Sequence, residues 1–69
     1  MPLQPVISSN ISAIDYDPDT QTLTIEFRSG GTYEYYDVEE QVYDGLRSAG
    51  SHGQYFQNNI RGHYRYARL

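Results

Sequence analysis

From Gln21 to Arg28 the chain alternates without a break: Leu23, Ile25 and Phe27 fall on one side, Thr22, Thr24, Glu26 and Arg28 on the other. A period of two with one apolar side predicts a β-strand that buries a single face. Upstream, Asn10 to Tyr16 reads as a first strand with Ile14 and Tyr16 on its apolar side. Asp17-Pro18-Asp19-Thr20 joins the two as a turn, because proline presets a backbone angle and aspartate bonds back to its own chain. Ser29-Gly30-Gly31 predicts a tight hairpin into a third strand, Thr32 to Tyr36. There Tyr33 and Tyr35 share one side, and Glu34 and Tyr36 the other.

After Tyr36 the period changes. Val38, Val42, Leu46 and Ala49 recur at helical spacing. Asp37 followed by Glu40 fits a capping box at the start of that helix, and Gly50 fits a left-handed stop at its end. Gly45 weakens the helix interior, by about 1 kcal/mol relative to alanine. Ser51 with Gln54 repeats the capping signal and predicts a second helix from His52 to about Asn59 that buries Phe56 and Ile60 and stops at Gly62. His63 to Leu69 reads as a closing strand or an extended tail, and residues 1–8, with Pro2 and Pro5, as an extended lead-in to a single domain over residues 9–69. The expected fold is therefore α+β: a three-stranded antiparallel meander, then two helices, with a short C-terminal strand left open. One sheet face packs on the helices. The other, bearing Thr22, Thr24, Glu26, Glu34 and Tyr36, meets water or another copy.

Sixty-nine residues fit one domain. The absence of cysteine excludes a disulfide scaffold and any thiolate-ligated metal. No stretch reaches the roughly 18 apolar residues of a membrane span. Met1 to Pro5 lack the basic start and apolar core of a signal peptide, so the expected address is the cytoplasm.

Charge changes the picture further. All nine acids and Arg28 lie within residues 1–44, giving −8; residues 45–69 carry Arg47, Arg61, Arg65 and Arg68 and no acid, giving +4. Such a partition suits an anionic partner, or complementary surfaces on neighbouring copies, against the simpler alternative of internal charge balance. Eight tyrosines exceed what so small a core needs, so a few are expected to face a ligand or another subunit.

The residues also carry a family resemblance. Ser8-Ser9, Ile14-Asp15-Tyr16-Asp17, the Leu23/Ile25/Phe27 strand, Gly31, Tyr33-x-Tyr35 and Val38 are followed by Ala49-x-Ser51-x-Gly53-x-Tyr55-Phe56, Ile60-Arg61, Tyr64 and Arg68-Leu69. In order and spacing, from Val6 to Leu69, they resemble the KTSC domain. That module is named after the C-terminal extension of some lysyl-tRNA synthetases and also occurs as a stand-alone protein in bacteria and their phages. Glu39 departs from the pattern, since many relatives open the helix there with proline. The resemblance implies a fold more firmly than an activity, with RNA binding suggested by the synthetase association. It places the protein in a bacterial cell, or in an infected host cell if it is phage-encoded.

Catalytic chemistry finds little support. Ser51 and His52 are sequence neighbours, which is not the geometry of a nucleophile and its base. No metal-ligand spacing is present, and no cofactor is expected. Anion binding fits better. Ser51, His52 and Gly53 sit at a helix start, whose free N–H groups attract phosphate. Arg61 and Arg65 flank Tyr64, pairing forked donors with a stacking ring. The candidate ligand-binding residues are thus Ser51, His52, Gly53, Arg61, Tyr64 and Arg65. The same residues read structurally as a cap, turn glycines and partners for the acids of the first half.

The leading expectation is a non-enzymatic module for a small phosphate-bearing ligand such as a nucleotide. It would act as a homo-oligomer, because a chain this short can hardly hold a pocket of about 300 Å3 or more alone; in a phage it could sequester a nucleotide signal. RNA or tRNA binding is the alternative, disfavoured by few cations on a −4 chain. Protein interaction or self-assembly is the third.

Overall fold

The computed structural model describes the backbone of Gln4–Pro5 and all of residues 10–69. Five strands form one antiparallel sheet in chain order: β1 (Gln4–Pro5), β2 (Ile11–Asp17), β3 (Thr22–Phe27), β4 (Thr32–Tyr35) and β5 (Tyr66–Arg68). Helices α1 (Glu40–Ser48) and α2 (His52–Asn59) intervene between β4 and β5. The expected meander and two helices are present, and the open C-terminal segment resolves as a strand. Two residues of the expected lead-in pair with β2; the remainder of it, with Ser8-Ser9, lies outside the described residues.

The alternation in β3 does set the core face. Its Leu23 lies opposite Tyr16 and Tyr35, and its Ile25 opposite Ile14 and Tyr33. The phase of β2 slips once. Ile11 pairs with Phe27 but Ala13 with Glu26, so Ser12 is an extra residue, a β-bulge. The bulge keeps Ile11 on the same face as Ile14 and Tyr16, and all three are buried. The helices supply Leu46 and Phe56, and the connections Val38 and Ile60. On the opposite face Ser12 Oγ donates to Glu26 and Tyr36 Oη to Glu34, an arrangement suited to a wetted surface.

The turns follow their residues. The Asp17 carboxylate accepts from the Asp19 N–H at 2.9 Å, and Gln21 closes the turn in the left-handed region. Phe27 N–H to Gly31 carbonyl, at 2.8 Å, closes the β3–β4 hairpin, with Gly30 at φ +108.

Two expectations at helix ends need correction. Asp37 does not cap α1: the N-cap position is Glu39, with no side-chain cap bond, and Asp37 instead takes φ +58. Its left-handed turn feeds Val38 into the core, where the Val38 carbonyl accepts from Tyr16 Oη at 2.5 Å and its N–H donates to Gln21. Nor is Gly50 a left-handed stop. α1 ends on extended Ala49, and among glycines only Gly30 and Gly62 have positive φ. Ser51 does cap α2, accepting from the Gln54 N–H at 3.3 Å, and Gly62, at φ +81, turns the chain towards β5.

Candidate functional site

The core face of the sheet is not fully covered. Phe56 of α2 lies edge-on to Phe27 (5.3 Å between ring centres) and to Tyr35 (5.5 Å), and there the helical cover stops. Beyond it Tyr33 stacks on Tyr35, and Tyr66 of β5 leans over both, at 5.9 and 5.6 Å. Tyr66 stands opposite Tyr35 in the β4–β5 ladder, so it projects on the core side, yet it is 62% exposed because no helix packs over it. A groove of about 600 Å3 results, floored by these rings.

Four segments contribute the rest of the groove's lining. Asn10 and Ile11 come from the start of β2, Arg28 and Ser29 from the β3–β4 turn, Gly53 and Gln57 from α2, and Arg61 from the turn after it. Gly53 makes the approach of α2 to β2 feasible, since a Cβ there would stand 3.1 Å from Asn10 Nδ2. Arg61 is held one helical turn from Gln57, donating to its side-chain oxygen at 3.2 Å. Arg68, beside the groove, sits over the Tyr33 ring at 5.9 Å. No carboxylate lines the groove among the described residues, and neither Arg61 nor Arg68 forms an ion pair among them. The charged side chains lining the groove are thus cationic, on a chain whose net charge is negative.

Tyr35 is the distinctive group inside. Burial, reinforced by neighbouring Tyr33 and Tyr66 and opposed by Arg61, pushes its phenol up to about 12. It is therefore a neutral hydroxyl at physiological pH. It is 6% exposed and lines the groove, and its hydroxyl makes none of the side-chain hydrogen bonds seen among the described residues.

The residues singled out in the sequence divide between places. Gly53 and Arg61 line the groove. Ser51 is occupied as the α2 cap. His52 packs against the end of α1, with Nε2 3.4 Å from the Arg47 carbonyl oxygen and Nδ1 buried without a partner among the described residues. Tyr64 is half-buried, its phenol raised first by burial and then by Glu39 and Tyr55. Arg65 pairs with Asp37 at 3.0 Å and lies over Tyr36, at the polar side of the sheet. The six do not converge on one cleft.

Four of the acids gather around Tyr16. Tyr16 is raised first by burial and then by Glu40, Glu39, Asp17 and Asp44, which places those carboxylates around it. The charge partition along the chain is not kept in space, because Arg65 pairs with Asp37 and Arg47 with Asp44.

Comparison with known proteins identifies the architecture. The model of the KTSC domain matches residues 7–64. This chain belongs to the KTSC domain family. A KTSC domain protein from Yersinia pestis, known from a crystal structure, is 41% identical and superposes with a TM-score of 0.96 over 99% of this chain and 96% of that one. A lysine–tRNA ligase of Nostoc sp. is 47% identical over 99% of this chain, and one of Nostoc punctiforme is 43% identical over the same share. The chain spans only 12% of the length of either ligase. A protein of Tsukamurella paurometabola is 41% identical over 91% of this chain and 94% of its own.

Within this KTSC domain, sequence reasoning missed Phe27, Arg28, Tyr35 and Tyr66 as groove residues. The signal lay in the surplus of tyrosines and in Tyr33 and Tyr35 sharing one side. What hid it was the length of β5, which decides whether Tyr66 stands over them.

Proposed function

We propose that this KTSC domain is a non-enzymatic binding module that takes a small phosphate-bearing ligand, a nucleotide, in the groove between α2 and the β4–β5 ladder. The observation that carries this reading is one cleft combining an aromatic floor of Tyr33, Tyr35 and Tyr66 with Arg61 and Arg28 at its mouth and no carboxylate among its described lining residues. Aromatic rings stack on bases whatever their identity, and guanidinium forks to phosphate oxygens. At about 600 Å3 the groove falls within the ordinary size of small-ligand sites and lies inside one chain.

Calorimetry against a panel of nucleoside mono-, di- and triphosphates at low salt tests the proposal. Micromolar-range binding is expected, weakened on the order of tenfold by Arg61→Ala, which removes a charged hydrogen-bond donor, and unchanged by Arg47→Ala, whose partner is Asp44 on α1. No heat with any nucleotide overturns it.

The lysine–tRNA ligase relatives favour a second reading, in which the nucleotide is presented by an unpaired stretch of RNA. Few cations stand near the groove, so retention of RNA would be weak and lost as salt rises. Gel shifts at low salt with an unpaired oligoribonucleotide, competed by free mononucleotide, separate the two.

A further inference from the structure

We infer that the ligand enters base first: its ring stacks against Tyr66 and meets the Tyr35 hydroxyl, while its phosphate stays at the mouth on Arg61 and Arg28. The inference rests on the nucleotide reading and adds an orientation and a specificity-determining residue to it.

The argument is one of desolvation. The interior of the groove is built from Phe27, Tyr33, Tyr35 and Phe56, and Phe56 and Tyr35 are buried. Both arginines that line it are exposed and belong to turns at its edge. A phosphate drawn inside would lose its water with no buried cation to replace it, which is prohibitive for a charged group. A base loses little, since its faces are apolar and its edge needs only hydrogen bonds.

In the interior Tyr35 offers such a bond. Tyr35 lines the groove, and its hydroxyl makes none of the side-chain hydrogen bonds seen among the described residues. A phenol held in its neutral form both donates and accepts, so it can pair with a carbonyl or ring nitrogen on the base edge. Tyr66 supplies the face. It is one of two large apolar side chains left exposed among the described residues, and its ring is tilted 33° from that of Tyr35 rather than packed flat on it.

This orientation separates two kinds of selectivity. Base identity is read inside, at Tyr35. The number of phosphates is read weakly, at an open rim. A wet rim tolerates mono-, di- and triphosphates alike, whereas a hydroxyl set among apolar rings favours the bases that can pair with it.

The test compares parts of the ligand. The probes are the four common ribonucleosides, their 5′-monophosphates, ribose 5-phosphate and inorganic phosphate, titrated into the wild type, Tyr35→Phe and Tyr66→Ala, with the fold of each variant checked by circular dichroism. Expected are measurable binding of at least one nucleoside and none of ribose 5-phosphate. Tyr66→Ala should lose on the order of tenfold for every base. Tyr35→Phe should change the ratio between the best and worst base about tenfold. Ribose 5-phosphate binding as tightly as the nucleotides, or an unchanged base ratio in Tyr35→Phe, overturns the orientation while leaving the anion-binding reading intact. Failure of every probe overturns both.

Discussion

Tyr66 and Tyr35 face each other across the β4–β5 ladder, ring centres 5.6 Å apart, one 62% exposed and the other 6%. The pair marks where the core ends and the groove begins. Removing the exposed member should therefore separate binding from stability. Tyr66→Ala is expected to lower unfolding free energy by no more than about 1 kcal/mol, the scale of one cross-strand pair. Urea denaturation of the variant checks this, and a loss of several kcal/mol would place Tyr66 in the core.

Gly45 and Tyr55 hold the two helices together. A Cβ at Gly45 would come within 2.6 Å of Tyr55 Cζ, and closer still to its hydroxyl. Helix propensity alone says that Gly45→Ala should stabilise α1 by about 1 kcal/mol. Overpacking says the reverse, and it wins, because the nearest atoms belong to a rigid ring: a net loss of about 1–3 kcal/mol is expected. A double-mutant cycle with Tyr55→Ala should show strong non-additivity, since shrinking the ring removes the clash.

Alkaline pH should weaken the fold through Tyr35. Its phenol is near 10 in an unfolded chain and is pushed up to about 12 here. The folded state thus holds the proton more tightly. The contribution is fully present below pH 10 and is lost as pH rises through 12, amounting to roughly 2–3 kcal/mol. Urea midpoints measured between pH 9 and 12 should fall more steeply for the wild type than for Tyr35→Phe.

Asp37 tests backbone conformation against charge. Its φ of +58 is costly for most residues, and its ion pair with Arg65 is exposed on both sides. Asp37→Gly should be close to neutral, because relief of the left-handed strain offsets loss of a weak pair. Asp37→Val should cost about 1–2 kcal/mol. Thermal melts of the two variants distinguish this from a fold that depends on the ion pair, in which both would lose alike.

Much of this architecture can be read from local rules. The unbroken alternation of β3 sets the sheet, Ser51 sets the start of α2, and Gly62 its end. Local rules failed at Asp37, where an acid that resembles a cap is needed in a left-handed turn to deliver Val38 to the core. They failed at Gly45 as well, which looks like a helix defect until Tyr55 is seen to occupy the space. The groove was the least legible feature. Arg61 and Gly53 were within reach because turns and cations are visible in sequence. Arg65 was misleading, because Asp37, 28 residues away, is its partner. Tyr35 and Tyr66 become groove residues only through the pairing of β4 with β5, a long-range fact that no local period encodes.

The most direct test of the account is a heteronuclear NMR titration of the labelled protein with the tightest-binding mononucleotide. Shift changes should centre on Phe27, Tyr35, Phe56, Arg61 and Tyr66 and leave the acids Glu39, Glu40 and Asp44 around Tyr16 undisturbed. Changes centred on Ser51, His52 and Arg65 instead, or no changes at saturating nucleotide, would contradict the placement of the site in the aromatic groove.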